Sequence, residues 1–581
     1  MDKIKKLSCL IGLSLSIAIS RSWINVGESW KFGQKQKASQ LWKRGNCERT
    51  PIIGLYHLIA SKKLSWREKE ATSITVYDGA NGIGGNKIYL EEKGKGVFLD
   101  FGKNFGKYGV FYEEFLKNRD TRGIHDLMYL DLLPKLNIYR PDLIPSDLPV
   151  NDFPALNVAA VLLTHAHMDH CGNIGMLRKD IPLVASPESI AIMKGMQDCG
   201  ISSLETDTAY FSPRQPTDNL GLYLASIAGM SYQGRDFCCT EEPSDDLMSF
   251  LSRKPGQDGK RAKKLDPGKC CCFAGAEFPF EISAHPVDHS ILGATAYILR
   301  GETIVAYTGD FRLHGKEEAS TREFIRQARD ASVLITEGTR AGPSEGEKTS
   351  ERSVRAACRE TAEDAKGLII ADFSPRNFER LESFQEIAEK TGRELVAMAK
   401  DIYMLHSLQK IGGSCNTKGL GIYEEVMDRS KRKWEQEVVQ PNYGNRYVNH
   451  ATIRENPENY IMCFSFFDMK HLLDIKPEGG TYIYSACEAF NEEMEIDFKR
   501  LWHWLKRFDI NSCGFSLDNN GELSFEKRYH ASGHASGEDI TWAIEQIDPD
   551  YIVPIHTEDR EWFDESFENV RLPNEGKAID F

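Results

Sequence analysis

The chain has 581 residues and a formal net charge of −14, with 41% apolar and 27% charged residues. This balance is ordinary for a folded globular protein, and the length suggests about two to four domains. The charge excludes binding to nucleic acid through overall attraction, although a local basic groove stays open because salt screens charges over about 10 Å. Apolar runs of about 18 residues are missing, so we expect no membrane partner.

Residues 1–71 carry no candidate site residue. Lys3, Lys5 and Lys6 precede the apolar run Leu7–Ile19, which is the outline of a secretory signal. A non-native upstream extension or an amphipathic leader explains the segment equally well. We expect a cytoplasmic protein, with export as the minority alternative, and we expect residues 1–71 to be dispensable for folding.

Fourteen cysteines in so long a chain do not form a disulfide scaffold. Two clusters, Cys238-Cys239 and Cys270-Cys271-Cys272, lack the Cys-x-x-Cys spacing of zinc sites, and adjacent cysteines rarely bind one zinc together. We interpret them as reduced thiols rather than as a metal site, which favours a reducing compartment.

The first strongly patterned segment contains three predicted strands, Ser73–Tyr77, Asn86–Glu91 and Gly96–Asp100. The glycine-rich stretch Gly79–Gly85 is typical of a hairpin turn, and no helical pattern follows it as a dinucleotide-binding loop requires. Asp100 comes at a strand end, where its carboxylate could orient a metal ligand by hydrogen bonding.

A dense set of metal-binding side chains follows the predicted strand Val158–Leu163. The loop contains His165, His167, Asp169 and His170. Imidazole nitrogens and a carboxylate suit zinc, and manganese or iron less selectively. Neighbouring ligands in one loop can contact two adjacent ions, and other segments must then complete the site.

Further candidate ligands come at the ends of later strands. His289, Asp310 and Glu337 each end or follow a short apolar run. A buried, hydrogen-bonded His or Asp is the usual alternative at one such position. Two of them just past strand ends, downstream of a ligand loop, favour a common site.

The stretch Gly200–Gly268 is polar and is predicted to be irregular. It includes the basic residues 260–264. A run of charge is usually a solvated surface, and we interpret this one in that way rather than as a nucleic-acid contact.

After the predicted strand that ends at Glu337, the pattern changes to alternating strands and helices around a mainly parallel sheet. One helix is predicted to begin with Ser374 as its N-cap and Pro375 as its first residue. Arg376 and Asn377 then fall in its first turn, where backbone amides can bind phosphate. An exposed first turn without a ligand is the alternative.

The C-terminal part returns to metal-site chemistry. His530, Ser532, His534 and Ser536 alternate with small residues directly before a predicted helix. A further apolar strand then ends at His556.

These motifs, in this order, resemble the metallo-β-lactamase superfamily and, within it, the β-CASP nucleases. The superfamily's successive motifs match Asp100, His165, His167, Asp169, His170, His289 and Asp310. The three further β-CASP motifs match Glu337, His534 and His556. The phrase His-Ala-Ser-Gly-His-Ala-Ser and the closing Val-Pro-Ile-His-Thr-Glu are most similar to the ribonuclease J group.

The resemblance implies an α/β fold, namely an αββα metallo-β-lactamase sandwich with an inserted β-CASP α/β domain. The sandwich is expected at residues 72–341 and 514–581, and the insertion at residues 342–513. Residues 1–71 remain a leader or extension.

The resemblance also implies roles for the site residues. One zinc ion would be held by His165, His167 and His289. The second would be held by Asp169, His170 and His556, with Asp310 bridging the two ions and manganese as the alternative metal. Catalytic roles fall to Asp169 as a proton shuttle, His534 as a proton donor, and Glu337 and Asp100 as orienting carboxylates. Substrate phosphates would contact Ser532, Ser536, His530, Arg376 and Asn377.

The function implied is a zinc-dependent ribonuclease that hydrolyses phosphodiester bonds of single-stranded RNA with hydroxide activated by two metal ions. One alternative is a small-molecule hydrolase of the same fold, acting on a lactone or thioester, which needs the metal loop but not His534. A DNA-directed nuclease and a catalytically silent RNA-binding scaffold are further alternatives. Exonuclease and endonuclease action, and a homodimer, all fit the resemblance.

Overall fold

The computed structural model describes residues 71–113, 115–342, 349–374, 376–413, 415–427, 430–486 and 492–581. The predictions for residues 1–70, including the signal-like stretch and the dispensable leader, lie outside the described residues.

The strands of the first half are β1 (Ser73–Asp78), β2 (Lys87–Glu92), β3 (Lys95–Leu99), β4 (Val158–Leu162), β5 (Leu183–Ala185), β6 (Tyr210–Phe211), β7 (Arg214–Pro216), β8 (Leu224–Ser226), β9 (Tyr232–Gly234), β10 (Phe237–Cys239), β11 (Leu265–Asp266) and β12 (Cys270–Cys272). Those of the second half are β13 (Glu281–Pro286), β14 (Thr295–Arg300), β15 (Ile304–Tyr307), β16 (Val333–Glu337), β17 (Ile369–Asp372), β18 (Glu394–Ala397), β19 (Leu420–Glu424), β20 (Tyr447–Asn449), β21 (Tyr460–Cys463), β22 (Gly480–Tyr484), β23 (Ile510–Cys513), β24 (Phe515–Leu517), β25 (Leu523–Phe525), β26 (Tyr551–Ile555) and β27 (Ala578–Asp580).

The α-helices are α1 (Phe105–Gly109), α2 (His125–Tyr129), α3 (Met168–Cys171), α4 (Pro187–Cys199), α5 (Asp245–Leu251), α6 (Glu318–Gln327), α7 (Glu351–Asp364), α8 (Phe378–Thr391), α9 (Ala399–Lys410), α10 (Gln440–Tyr443), α11 (His450–Glu455), α12 (Leu472–Ile475), α13 (Glu492–Arg507), α14 (Gly537–Ile547) and α15 (Arg560–Ser566). No helix in the described part of the chain is both long enough and apolar enough to span a bilayer.

Two sheets pack face to face. One has eight strands in the order β12-β10-β5-β4-β3-β2-β1-β27, and the other has five in the order β13-β14-β15-β16-β26. Alternate residues of the strands point inward, so that Ile74 and Val76 share one core with Val333 and Ile335. Residues of α4 pack on the outer face of the first sheet, and those of α6 and α14 on that of the second. The predicted αββα sandwich is confirmed.

A third sheet has seven parallel strands in the order β20-β19-β18-β21-β17-β22-β23. The chain leaves the five-stranded sheet after β16 and returns to it at β26, which pairs directly with β16. The seven-stranded unit is therefore an insertion between two adjacent strands of the sandwich. Its limits at residues 342 and 513 remain a prediction.

The prediction that Gly200–Gly268 is irregular is wrong in part. The stretch contains β6 to β11 and α5, and β10 lies between β5 and β12 in the eight-stranded sheet. The reason is length, because strands of two or three residues are too short to show an alternating pattern.

Strand direction brings the candidate ligands to one end of the sandwich. β15, β16 and β26 are parallel, β13 runs in the same direction across β14, and β3 and β4 are parallel in the facing sheet. The C-terminal ends of such strands meet at one edge, where sites of α/β folds form. The segments that end or follow these strands carry Asp100, Thr164 to His170, His289, Asp310, Glu337 and His556.

Arg312 joins the sandwich to the inserted unit through buried charges. Its guanidinium donates to Asp288 Oδ1 at 3.0 Å, to Glu351 Oε1 at 2.9 Å and to Glu379 Oε2 at 2.7 Å. Asp288 precedes the candidate ligand His289, whereas Glu351 and Glu379 lie on α7 and α8. The side chain is only 1% exposed, so water cannot replace a lost partner.

Arg312→Met is expected to lower the free energy of unfolding by about 3–5 kcal/mol, because it leaves the buried Asp288 carboxylate without its counter-charge, while Glu351 keeps Arg380. Urea denaturation followed by tryptophan fluorescence measures the change. Arg326→Met is the matched control, since it removes an arginine whose side chain is 60% exposed. The control should change stability by less than about 0.5 kcal/mol. Equal denaturation midpoints for the two variants would contradict the role of the buried network.

Candidate metal centre

The ligand loop after β4 passes directly into α3, with His167 at the N-cap position. Two glycine segments hold the loop from the other side. The backbone N–H of Gly85 donates to the carbonyl of Asp169 at 2.9 Å. A Cβ atom on Gly102 would lie 1.6 Å from the Asp169 carbonyl oxygen, so only glycine permits this approach. The glycine-rich turn thus lies beside the ligand loop.

Three histidines form the first candidate ligand group. His167 Nδ1 lies 3.0 Å from His165 Nε2 and 3.3 Å from His289 Nε2. Burial lowers the pKa of His165 and His167 well below its ordinary value and that of His289 to about 3. Neutral imidazoles keep the lone pairs that metal binding requires. The three side chains could therefore hold one ion.

A second candidate group is formed by Asp169, His170, Asp310 and His556. His170 Nε2 lies 3.0 Å from Asp310 Oδ2, and His556 Nδ1 lies 3.4 Å from Asp310 Oδ1. Burial acts to lower the pKa of His170, but the Asp310 and Asp169 carboxylates raise it well above its ordinary value. Burial acts to raise the pKa of Asp310, but His170 and His556 hold it well below its ordinary value. The Asp310 and Asp169 carboxylates thus stabilise positive charge beside them.

Unpaired buried atoms test whether these residues fit a metal ion. His170 Nε2, His556 Nε2 and Asp310 Oδ1 are buried without a hydrogen-bond partner in the described part of the chain. Each such atom costs about 1–3 kcal/mol when it is left unsatisfied. These atoms come from three separate segments, and their nitrogen and oxygen chemistry suits zinc. A bound metal ion would satisfy all three atoms, so these residues fit a metal site.

Asp100 fixes the orientation of His170. Its Oδ2 accepts from Tyr307 Oη at 2.7 Å, from His170 Nδ1 at 2.8 Å and from Thr164 Oγ1 at 2.9 Å. The bond to Nδ1 leaves His170 Nε2 directed at the second ligand group. Sequence reasoning missed Thr164 and Tyr307, and the only local signal is that Tyr307 ends a strand shortly before Asp310.

Asp100→Asn is expected to weaken metal binding about 10–100-fold, because an amide cannot replace the anionic acceptor that holds the ligand His170. Titration against a competing chelator measures the affinity. Asp131→Asn is the matched control, because Asp131 shares the positive φ of Asp100 (55° against 57°) and its side chain is 74% exposed. Unchanged affinity in the Asp100 variant would refute this positioning role.

Glu337 is fully buried and connects the Asp310 loop to His534. Its Oε1 accepts from the backbone N–H of Phe311, and its Oε2 accepts from His534 Nδ1, both at 2.8 Å. Burial acts to lower the pKa of His534, but Glu337 and Asp310 raise it to about 9. The His534 ring lies 5.2 Å from that of His289, between centroids. His534 Nε2 has no hydrogen-bond partner among the residues that the structure describes.

His530 and Ser536, which were predicted to bind substrate, make contacts within the fold. His530 Nε2 lies 2.8 Å from the carbonyl oxygen of Gly514, and its Nδ1 lies 3.1 Å from that of Ala486. The Ser536 hydroxyl caps α14, where it accepts from the backbone N–H of Asp539. Both side chains are buried, and their polar atoms are already engaged within the fold.

The helix predicted to begin at Pro375 begins at Phe378 instead. Asn377 is its N-cap, and the Asn377 Oδ1 accepts from the backbone N–H of Arg380 at 3.0 Å. Asparagine is as strong an N-cap as serine, so a start at Phe378 is as well capped as the predicted one. Asn377 is therefore a capping residue at 2% exposure, and its predicted contact with phosphate stays a prediction.

Arg376 and Ser532 stay close to the centre. Arg376 lines a cavity of about 330 Å³ with Met168 and Cys171 of the ligand loop, and its Nη1 lies 3.5 Å from Met196 Sδ. Burial lowers the pKa of Arg376, and Cys171 partly offsets this effect. The Ser532 Oγ accepts from the backbone N–H of His534 at 3.1 Å, which supports the turn that presents the imidazole.

Comparison with known proteins shows which families this chain is similar to. The sequence model described as the metallo-beta-lactamase superfamily matches residues 137–198, which include the ligand loop. The model described as the Zn-dependent metallo-hydrolase RNA specificity domain matches residues 526–572, which include His534 and His556. Ribonuclease J of Pyrococcus abyssi is 22% identical over 513 residues, covering 85% of this chain and 92% of that protein. The chain is similar to the ribonuclease J group of the metallo-β-lactamase superfamily.

Other relatives agree with this assignment. Ribonuclease J of Helicobacter pylori strain J99 is 20% identical over 515 residues, covering 87% of this chain but only 58% of that longer protein. A crystal structure of a protein of unknown function from Enterococcus faecalis V583 aligns with 88% of this chain at a TM-score of 0.60 and 21% identity. The structural match shows a shared fold. This ribonuclease J-like chain thus combines a zinc-hydrolase family match with His and Asp clusters that could hold metal.

Proposed function

We propose that the chain is a zinc-dependent ribonuclease that hydrolyses phosphodiester bonds of single-stranded RNA with two zinc ions. The observation that carries the proposal is the pair of neighbouring ligand groups beside Asp310, of which the second contains three unpaired buried atoms. The match to an RNA specificity domain around His534 supports RNA as the substrate. Manganese is the alternative metal.

Each ion has its own proposed ligands. The first would be held by His165, His167 and His289, and the second by Asp169, His170 and His556, with Asp310 between them. When bound, the ions supply positive charge at the scissile phosphate and acidify water.

Protein side chains move the protons. Asp169 is the least buried carboxylate of the two groups, at 24% exposure, with its Oδ2 3.6 Å from His170 Nε2. It can pass a proton between the reacting atoms and solvent. His534, held by Glu337, can donate to an oxygen of the phosphate. Arg376 adds positive charge beside the ligand loop for a neighbouring phosphate.

Cleavage assays on matched RNA and DNA test the proposal. The substrates have one sequence, a label, and either a monophosphate or a triphosphate at the 5′ end. We expect cleavage of RNA that a chelator removes and added zinc restores, and the product lengths separate exonuclease from endonuclease action. Equal cleavage of DNA would show a general nuclease. Hydrolysis of a small ester or lactone without RNA cleavage would contradict the proposal.

Location and assembly are also proposals. All cysteines in the described part of the chain are free thiols, which fits a cytoplasmic location. A homodimer remains a prediction, and light scattering on the purified protein measures its mass.

A further inference from the structure

The two cysteine clusters form two thiol pairs on neighbouring strands. β10 and β12 are parallel neighbours, and β12 is the edge strand of the eight-stranded sheet. Cys238 Sγ lies 3.7 Å from Cys271 Sγ, and Cys239 Sγ lies 3.5 Å from Cys270 Sγ. Cys238 packs in the core between the two sheets, and Cys239 packs in the core on the opposite face. The two pairs are therefore separated by the sheet.

This arrangement does not suit a metal ion. A structural zinc site needs about four ligands around one point. Alternate residues of a strand point to opposite faces, so the four thiols cannot converge. Among the described residues, the groups of three or more side chains that could hold an ion contain no cysteine. Two adjacent thiols have another chemistry, which is disulfide formation.

Backbone geometry permits a disulfide in only one of the two thiol pairs. A disulfide joins Cα atoms about 4.4–6.8 Å apart. Cys238 and Cys271 are register partners on strands that lie about 4.8 Å apart. The register partner of Cys239 is Cys272, so Cys270 is displaced by two residues along the strand. This displacement puts the Cα atoms of Cys239 and Cys270 about 8 Å apart, which is too far without backbone movement.

We propose that Cys238 and Cys271 are a reversible disulfide site, oxidised by small-molecule disulfides. Cys271 is exposed, whereas Cys238 is 6% exposed, so Cys271 reacts first. Its thiolate attacks one sulfur of the oxidant, which forms a mixed disulfide and releases one thiol. Cys238 then attacks Cys271 Sγ and releases the second thiol. The two protein thiols lose two electrons and two protons, and the oxidant is reduced to two thiols.

Burial supports this order of reaction. It raises the pKa of Cys238 to about 12, so this thiol is a poor first nucleophile and acts as the second. The finished bond would tie the edge strand β12 to β10 and close the loop that holds α5 and residues 260–264. Covalent attachment of this edge strand would prevent its separation from the sheet.

Equilibration of the full-length protein in glutathione buffers tests the proposal. Samples at increasing ratios of oxidised to reduced glutathione are quenched in acid, alkylated, digested and analysed by mass spectrometry. We expect the Cys238 and Cys271 peptides to become cross-linked, with a mass loss of two hydrogen atoms that reduction reverses. No cross-link at the most oxidising ratio, or a bond from Cys239 to Cys270 or Cys272, would overturn the proposal.

Serine variants supply the controls. Cys271→Ser alters an exposed side chain and should abolish the cross-link without changing thermal unfolding. Cys270→Ser should leave the cross-link intact, although Cys270 is the neighbour with the pKa lowered by a hydrogen bond from Cys239. Metal analysis of the purified protein is the last check. Copper or zinc that is present in the parent protein and lost in Cys271→Ser would show a thiol metal site and overturn the proposal.

Discussion

Asp310→Ala is expected to abolish binding of both metal ions and to lower RNA cleavage by about 10⁴-fold or more. One carboxylate reaches histidines of both ligand groups, with Oδ2 3.0 Å from His170 Nε2 and 3.7 Å from His165 Nε2. Its Oδ1 lies 3.4 Å from His556 Nδ1. Loss of the group that generates the nucleophile typically costs about 10⁴–10⁶-fold in rate.

His556→Ala is the matched comparison for Asp310→Ala. It should weaken only the second ion, because Asp169 and His170 remain and the first ligand group is untouched. Metal content per chain is measured by elemental analysis of the dialysed proteins, and circular dichroism checks that each variant is folded. Equal metal loss in the two variants, or a single ion in the parent protein, would contradict the proposed partition.

The sandwich and its candidate ligands were predictable because each ligand ends or follows a short apolar strand. Apolar residues at alternate positions, such as Ile74 and Val76, place one face of β1 in the core. The strand before Asp310 shows the same alternation. Parallel strand ends meet at one edge, so separate motifs imply a common site before any distance is known. The order of the motifs then decided which superfamily the chain resembles.

The partners of these ligands were not predictable, since they depend on contacts between remote segments. Tyr307 donates to Asp100 across 207 residues of sequence, and Arg312 meets Glu379 across 67. A threonine, tyrosine or arginine in a strand or loop carries no local signal of such a contact. Packing of the two sheets and the inserted unit creates these bonds.

His530 and His534 show the same limit within one motif. Both histidines are followed by a small residue and a serine, so the sequence pattern treats them alike. The structure separates them, because His530 packs against the rings of Tyr484 and Phe525 and contacts two carbonyl groups. His534 instead faces Glu337 and the candidate ligands.

His534→Ala is expected to keep both metal ions while RNA cleavage falls by about 10²–10³-fold, which is typical for one lost transition-state donor. Glu337 holds the Nδ1 of the ring at 2.8 Å, and Nε2 is left without a partner in the described part of the chain. Single-turnover cleavage of labelled RNA measures the rate, and elemental analysis measures the metal. Hydrolysis of a small activated ester should fall far less, since the metal ions, when bound, would supply the positive charge that this reaction needs.

His530→Ala is the matched control for His534→Ala. It removes the same ring from a buried structural position, so thermal stability should fall while cleavage per folded molecule is retained. His289, Asp310 and His534 also lie close enough to hold an ion together, and metal loss in His534→Ala would make His534 a ligand instead of a donor. If His534→Ala loses stability together with both activities, His534 only supports the turn before α14, and its catalytic role is refuted.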